Sequence, residues 1–223
     1  MTAAPIAYTS FENETVYSGS YTDTGDAAAD HDLVNNSGQP IVDSTVATEW
    51  GYNASYVNSR DGVGLTDGDY VGVTDYTTAV GSYTDGSQGY QMSDCDGQMV
   101  LTFNAVDISG YTDVRVSLDL FVADTGYEAT DYATVTAQTD VGNVVLYNNS
   151  DTGLETDAGS WMNLSADIDD LATSVTLVVA FDSNSGNEAI YLDNASVIPE
   201  PATLGLVAVF GAGLMFVRRS VRI

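Results

Sequence analysis

The stretch VRVSLDLFV, residues 114–122, alternates apolar and polar side chains with a period of two. Successive side chains of an extended chain point to opposite faces, so Val114, Val116, Leu118, Leu120 and Val122 share one face while Arg115, Ser117 and Asp119 share the other. Such a strand buries one face and needs an apolar partner. SVTLVVAF (174–181) repeats the pattern, with Val175, Leu177, Val179 and Phe181 aligned. ATVTAQ, NVVLYN, WMNLSADI, MVLTFNAV and AIYLDNASVI read as further strands. Turn clusters separate them: Thr66-Asp67-Gly68-Asp69, Asp85-Gly86-Ser87, Asp96-Gly97 and Asn184-Ser185-Gly186. No amphipathic helical period is evident. The pattern predicts an all-β chain whose body, residues 9–198, is one antiparallel β-sandwich. GSYTD recurs at 19–23 and 81–85, and GYTD at 110–113, but without a fixed period, which argues against a solenoid.

Charge narrows the partners. Residues 1–200 hold all 32 acidic residues against Arg60 and Arg115, a balance of about −30. A surface of that sign repels nucleic acid and anionic lipid and favours cations, so no nucleic-acid partner is expected. Cys95 is the single cysteine and His31 the single histidine. An intrachain disulfide is therefore excluded, and neither a Ser/His/Asp nor a Cys/His nucleophile is supported.

The C-terminus changes character. Ala202 to Val217 is an uncharged run of 16 residues, preceded by Pro199-Glu200-Pro201 and followed by Arg218, Arg219 and Arg222. As a helix it spans about 24 Å, short of the roughly 30 Å of bilayer hydrocarbon, but the flanking arginines suit a cytoplasmic end. The expectation is a transmembrane helix over 202–217 with the acidic domain outside the cell. The order Pro-Glu-Pro, apolar span, Arg-Arg at the chain end resembles the PEP-CTERM sorting signal of bacterial exported proteins, here residues 199–223. The resemblance implies export, processing by an exosortase-type membrane enzyme, and a cell-surface or exopolysaccharide-matrix destination. Residues 1–8, MTAAPIAY, read as the remnant of a signal peptide or the region just after one.

The terminal segments YTSFENETV and NEAIYLDNASV resemble the opening and closing strands of jelly-roll domains related to carbohydrate-binding and galactose-binding-like modules. The resemblance implies a jelly roll in which Glu12 and Asp193, with Glu188, hold a structural Ca²⁺. A cation bridging first strand to last would staple a fold without disulfides. Asp94 and Asp96 in an Asp-x-Asp-Gly turn, the acidic run Asp23, Asp26, Asp30 and Asp32, and Glu128 with Asp131 are competing acidic groups.

Fourteen tyrosines and two tryptophans supply faces on which sugar rings stack, and many lie near turns. Trp50, Tyr52, Tyr90 and Tyr127 are the candidate ligand residues, with Tyr56, Tyr70, Tyr76 and Tyr83 in the wider set. The sequence thus predicts a non-catalytic surface or matrix component that binds carbohydrate. The alternatives are a Ca²⁺-linked structural protein without a small ligand, and a carboxylate-based glycosidase or lyase.

Overall fold

The computed structural model describes residues 3–60, 62–65 and 69–199. Its strands, in chain order, are β1 (Ala7–Thr9), β2 (His31–Asp32), β3 (Tyr52–Val57), β4 (Tyr70–Thr74), β5 (Gly89–Ser93), β6 (Gly97–Phe103), β7 (Val106–Asp107), β8 (Val114–Val122), β9 (Tyr132–Thr139), β10 (Gly142–Ser150), β11 (Trp161–Asp167), β12 (Ser174–Ser183) and β13 (Ala189–Pro199). One short helix, α1 (Thr152–Asp157), interrupts them. Every pairing is antiparallel.

Two sheets face each other. The first runs β11-β8-β13-β5-β4, with β1 continuing the β5 side of β13; the second runs β10-β9-β12-β6-β3-β2, with β7 beside β12. From β5 onward the chain changes sheet at every step except β6 to β7 and the β9-β10 hairpin. The resulting orders β5-β13-β8-β11 and β6-β12-β9-β10 are those of a jelly roll, two interlocked Greek keys. The step from β5 to β6 is tight: Asp94 and Asp96 both take left-handed backbone angles (φ 53 and 43), which Asp tolerates better than most residues.

The alternating faces meet in the core. Val116, Leu118, Leu120 and Val122 from β8 are fully buried, as are Val175, Leu177, Val179 and Phe181 from β12. At one end of the sandwich Phe11, Tyr52, Tyr90 and Phe103 form an aromatic knot, with Phe11 5.3 Å from Tyr52 and 5.8 Å from Tyr90, ring centre to ring centre. Strand β3 inserts Tyr52, Ala54 and Tyr56 into this core, an alternation carried by tyrosine and alanine rather than by the aliphatic residues that mark the other strands.

The opening strand is shorter than YTSFENETV suggests. Pairing to β13 stops at Thr9, whose Oγ1 accepts the Phe11 N–H at 3.1 Å, and Phe11 turns left-handed (φ 62) to send its ring inward. Helix α1 was not expected either; it has one turn and a half and buries Leu154 under the sandwich edge.

Truncation of the core should separate from truncation of the surface. Leu177→Ala should lower unfolding free energy by about 2–5 kcal/mol, while Leu171→Ala, at a position 77% exposed, should stay within about 0.5 kcal/mol of the parent. Urea denaturation of both variants measures the difference.

Candidate functional site

Part of the outward face of the first sheet is covered rather than open to water, although its far end at Arg115 and Asp167 is exposed. Its register sets Trp161, Phe121 and Tyr191 side by side across β11, β8 and β13, with Asn163, Asp119 and Asp193 in the next row. The loop 75–88 folds over both rows. Val80 and Tyr83 pack on Phe121 and Tyr191, and the Trp161 Nε1–H donates to the Ser82 carbonyl at 2.8 Å. This cover is why Asp119, on the polar face of an alternating strand, is only 5% exposed.

Two carboxylates tie the loop down. A bulge in β13 with left-handed Asn194 (φ 52) leaves Asp193 wholly buried beneath it. Its Oδ2 accepts the Thr84 and Asp85 N–H groups, both at 2.8 Å, and lies 2.9 Å from the Thr84 hydroxyl. From the opposite side Glu12 Oε1 accepts the Ser87 N–H at 2.6 Å and the Gln88 N–H. Burial pushes Asp193 up to about 6, although the N–H donors act against it.

The far edge of the loop forms one wall of a cleft of about 490 Å³. Gln91 and Ser93 of β5 and Tyr191 of β13 make its floor; Tyr70 and Thr74 of β4, Tyr17, Tyr76 and Asn187 make its sides. Tyr76 is 48% exposed and its backbone carbonyl is held by the Tyr83 hydroxyl at 3.0 Å, so its position depends on the loop. Four tyrosines line the cleft, Tyr191 from beneath at 2% exposed, beside two amides, Gln91 and Asn187, hydroxyls and a single carboxylate among the described residues, Asp75. Rings of this kind present apolar faces, while the amides and hydroxyls donate and accept hydrogen bonds.

The four tyrosines and tryptophans named from sequence serve the core instead. Tyr90 is fully buried and donates to the Val42 carbonyl at 3.1 Å; Trp50 stacks 4.7 Å from Phe103 and donates to Asn104 at 2.7 Å. Tyr52 lies in the aromatic knot with its hydroxyl unpartnered, and Tyr127, 5% exposed, sits within 3.2 Å of the Ala123 and Ala189 carbonyls. Strand alternation turns Tyr52 and Tyr90 inward, while Trp50, just before β3, and Tyr127, in the β8–β9 connection, are buried by tertiary packing. Tyr70 and Tyr76, from the wider set, do reach the cleft, and Tyr17 and Tyr191 join them. Tyr191 lies within the strand segment AIYLDNASVI and was not singled out from the sequence.

The acidic candidates divide into three places. Glu12 and Asp193 bind different ends of the 84–88 loop, Asp193 at Thr84 and Asp85 and Glu12 at Ser87 and Gln88, and with Asp85 they do not form a carboxylate group as close as the two below. Asp193 Oδ1 accepts the Asn194 N–H and Glu12 Oε2 the Ser87 hydroxyl, one bond each among the described residues. Glu188 is elsewhere: it clusters with Glu128 and Asp131, their carboxylate oxygens all within 4.8 Å. Asp131 and Asp182 share Arg60, and burial together with the neighbouring Asp131 and Glu128 carboxylates lifts Glu188 to about 7. Asp94 and Asp96 form a third group with Asp69, likewise within 4.8 Å. In the acidic run, Asp23 pairs with His31 at 2.7 Å. Cys95 is fully buried, and burial pushes its thiol well up, away from the reactive thiolate.

Of the sorting-signal residues, Pro199 ends β13 opposite Val114. Glu200, Pro201, Arg218, Arg219 and the apolar segment 202–217 lie outside the described residues. Among the described residues no helix is long and apolar enough to cross a membrane.

No protein-family model and no curated protein sequence matches the chain. Solved structures do overlay on it in part. The module TmCBM61, solved with β-1,4-galactotriose, has 13% identity and a TM-score of 0.44, covering 58% of this chain and 82% of its own. The CBM22-1 xylan-binding domain of Paenibacillus barcinonensis Xyn10C has 13% identity and a TM-score of 0.41, covering 90% and 97%. The K2 cleaved adhesin domain of Lys-gingipain has 14% identity and a TM-score of 0.42, covering 76% and 99%. At such scores the likeness carries no weight for ligand or chemistry, which the chain's own residues must supply.

The raised carboxyls set a pH dependence. An acid that holds its proton more tightly folded than unfolded contributes most below its unfolded value and loses that contribution as pH rises through its folded value. For Glu188 the window runs from 4.5 to about 7. Without divalent cations, the thermal midpoint should therefore fall between pH 5 and pH 8, and Glu188→Gln should flatten that decline in a calorimetric series.

Proposed function

We propose that the protein is a non-catalytic carbohydrate-binding component of a bacterial cell surface or exopolysaccharide matrix, with the tyrosine cleft on the first sheet as its binding site. The observation that carries this reading is the convergence of Tyr17, Tyr70, Tyr76 and Tyr191 on one cleft floored by Gln91 and Ser93. Pyranose rings stack on aromatic faces while amides and hydroxyls pair with sugar hydroxyls. Glycoside hydrolysis needs two carboxylates flanking one scissile bond, and among the described residues Asp75 is the one carboxylate of the tyrosine cleft, Asp124 lying in the adjoining hollow. Export rests on the resemblance of residues 199–223 to the PEP-CTERM signal, with an exosortase-type enzyme as processing partner and the apolar run as membrane anchor.

A structural Ca²⁺ belongs to the same reading. Glu12 and Asp193, from the first and last segments, are its proposed ligands at the 84–88 loop; Glu188 with Glu128 and Asp131 offers a second oxygen-rich group. Bound there, Ca²⁺ supplies charge compensation for buried carboxylates and no catalytic chemistry.

Two measurements test these points. On a glycan array the parent chain should bind and Tyr76→Ala should weaken its best ligand by about tenfold, the equivalent of about 1.4 kcal/mol; Tyr90→Phe, altered in the core, should bind like the parent. Millimolar Ca²⁺ should raise the thermal midpoint, and Asp193→Ala should remove the rise. Array binding that ignores Tyr76→Ala would move the site elsewhere.

A further inference from the structure

The tyrosine cleft does not end at β13. A second hollow, of about 460 Å³, shares Ala79, Ala123 and Asn187 with it and continues past Phe121 to Asp124 and Gly159. Together they form one groove running across β4, β5, β13 and β8. Three inter-strand steps make about 14 Å of floor, more than a single sugar ring occupies.

The groove is acidic throughout. Asp75 stands in one hollow and Asp124 in the other, and among the described residues no Lys, Arg or His lines either. The cations of the described body are committed elsewhere: Arg60 to Asp131 and Asp182, His31 to Asp23, and Arg115 to Asp167. Arg115 shares the outward face of β8 but sits six residues from Phe121, about 20 Å along the strand. That exceeds the Debye length of about 8 Å at physiological salt, so its charge does not reach the groove. An anionic chain laid there would meet two carboxylates and, among the described residues, no compensating cation, on a chain of net charge −27.

Resting on the cleft reading above, we infer that the groove takes an internal stretch of an uncharged polysaccharide and rejects chains of uronic acids or sulfated sugars. Specificity then comes from charge exclusion by Asp75 and Asp124, and affinity from rings stacked in line along the groove.

Calorimetric titration of the full-length chain with neutral and uronate oligosaccharides of one to six units tests this. Neutral oligomers should gain affinity with length and show little salt dependence. Oligogalacturonates should bind at least tenfold more weakly at low salt, with the gap narrowing as salt rises. The pair Asp75→Arg with Asp124→Arg should acquire oligogalacturonate binding, and Asp75→Asn with Asp124→Asn should narrow the gap without introducing a cation. Oligogalacturonate binding by the parent chain that Tyr76→Ala abolishes would overturn the charge exclusion while leaving the cleft as the site. A monosaccharide bound as tightly as the longer chain would overturn the groove. Failure of the parent to hold any glycan would sink the cleft reading and this inference together.

Discussion

Asp193 holds the site together. Its carboxylate, wholly buried on the outward face of the central strand of the first sheet, receives the N–H groups of Thr84 and Asp85 and so pins the loop 75–88 across that face. Everything functional on this side follows from the pin. The loop brings Val80 and Tyr83 onto Phe121 and Tyr191, half-buries Trp161, and sets Tyr76 at the lip of the cleft. Burying a carboxylate is costly unless hydrogen bonds compensate it, and here the β13 bulge aims it at two peptide N–H groups that would otherwise lack partners.

Directly across the ladder from Asp193 stands Asp119, also buried, with Asn163 donating to it at 2.6 Å and the Thr84 hydroxyl in reach at 2.6 Å. The Thr84 hydroxyl has one proton and lies near both acids. Burial in this covered sheet is why Asp193 holds its proton to about 6, and two carboxylates set opposite each other on one ladder make a spot that a cation would suit. Arg60 performs a comparable service at the Glu128, Asp131 and Glu188 group, where one guanidinium bridges Asp131 and Asp182. Acidity in this chain is therefore of two kinds: solvated carboxylates that keep it highly charged, and a few buried ones that organise loops.

Much of the fold was legible. VRVSLDLFV and SVTLVVAF are strands with the inward faces their alternation predicted, and their partners are antiparallel strands of a two-sheet sandwich. The candidate site was less so. Choosing Trp50, Tyr52, Tyr90 and Tyr127 as ligand residues treated nearness to a turn as exposure. Tyr90 alternates with Gln91, and only the register of β5 against β13 and β4 tells which of the two faces the cleft. Glu188 likewise lies only five residues before Asp193, yet the β13 strand carries them to different acidic groups.

By itself the sequence determined the long alternating strands, the absence of an intrachain disulfide and the sign of the surface, because side-chain alternation and charge are local properties, but it did not mark the short or tyrosine-carried strands β2, β3, β4, β5 and β7. It also marked the unusual chain end from Pro199 onward. What only the tertiary structure decided is which face of the first sheet stays covered, which tyrosines keep a free face, and which carboxylates share a neighbourhood. Those depend on a loop of 14 residues folding back over a sheet and on contacts such as Asp193 to Thr84, separated by 109 positions in the chain. Period-two alternation assigns a side chain to a face, but it carries no information about what lies above that face.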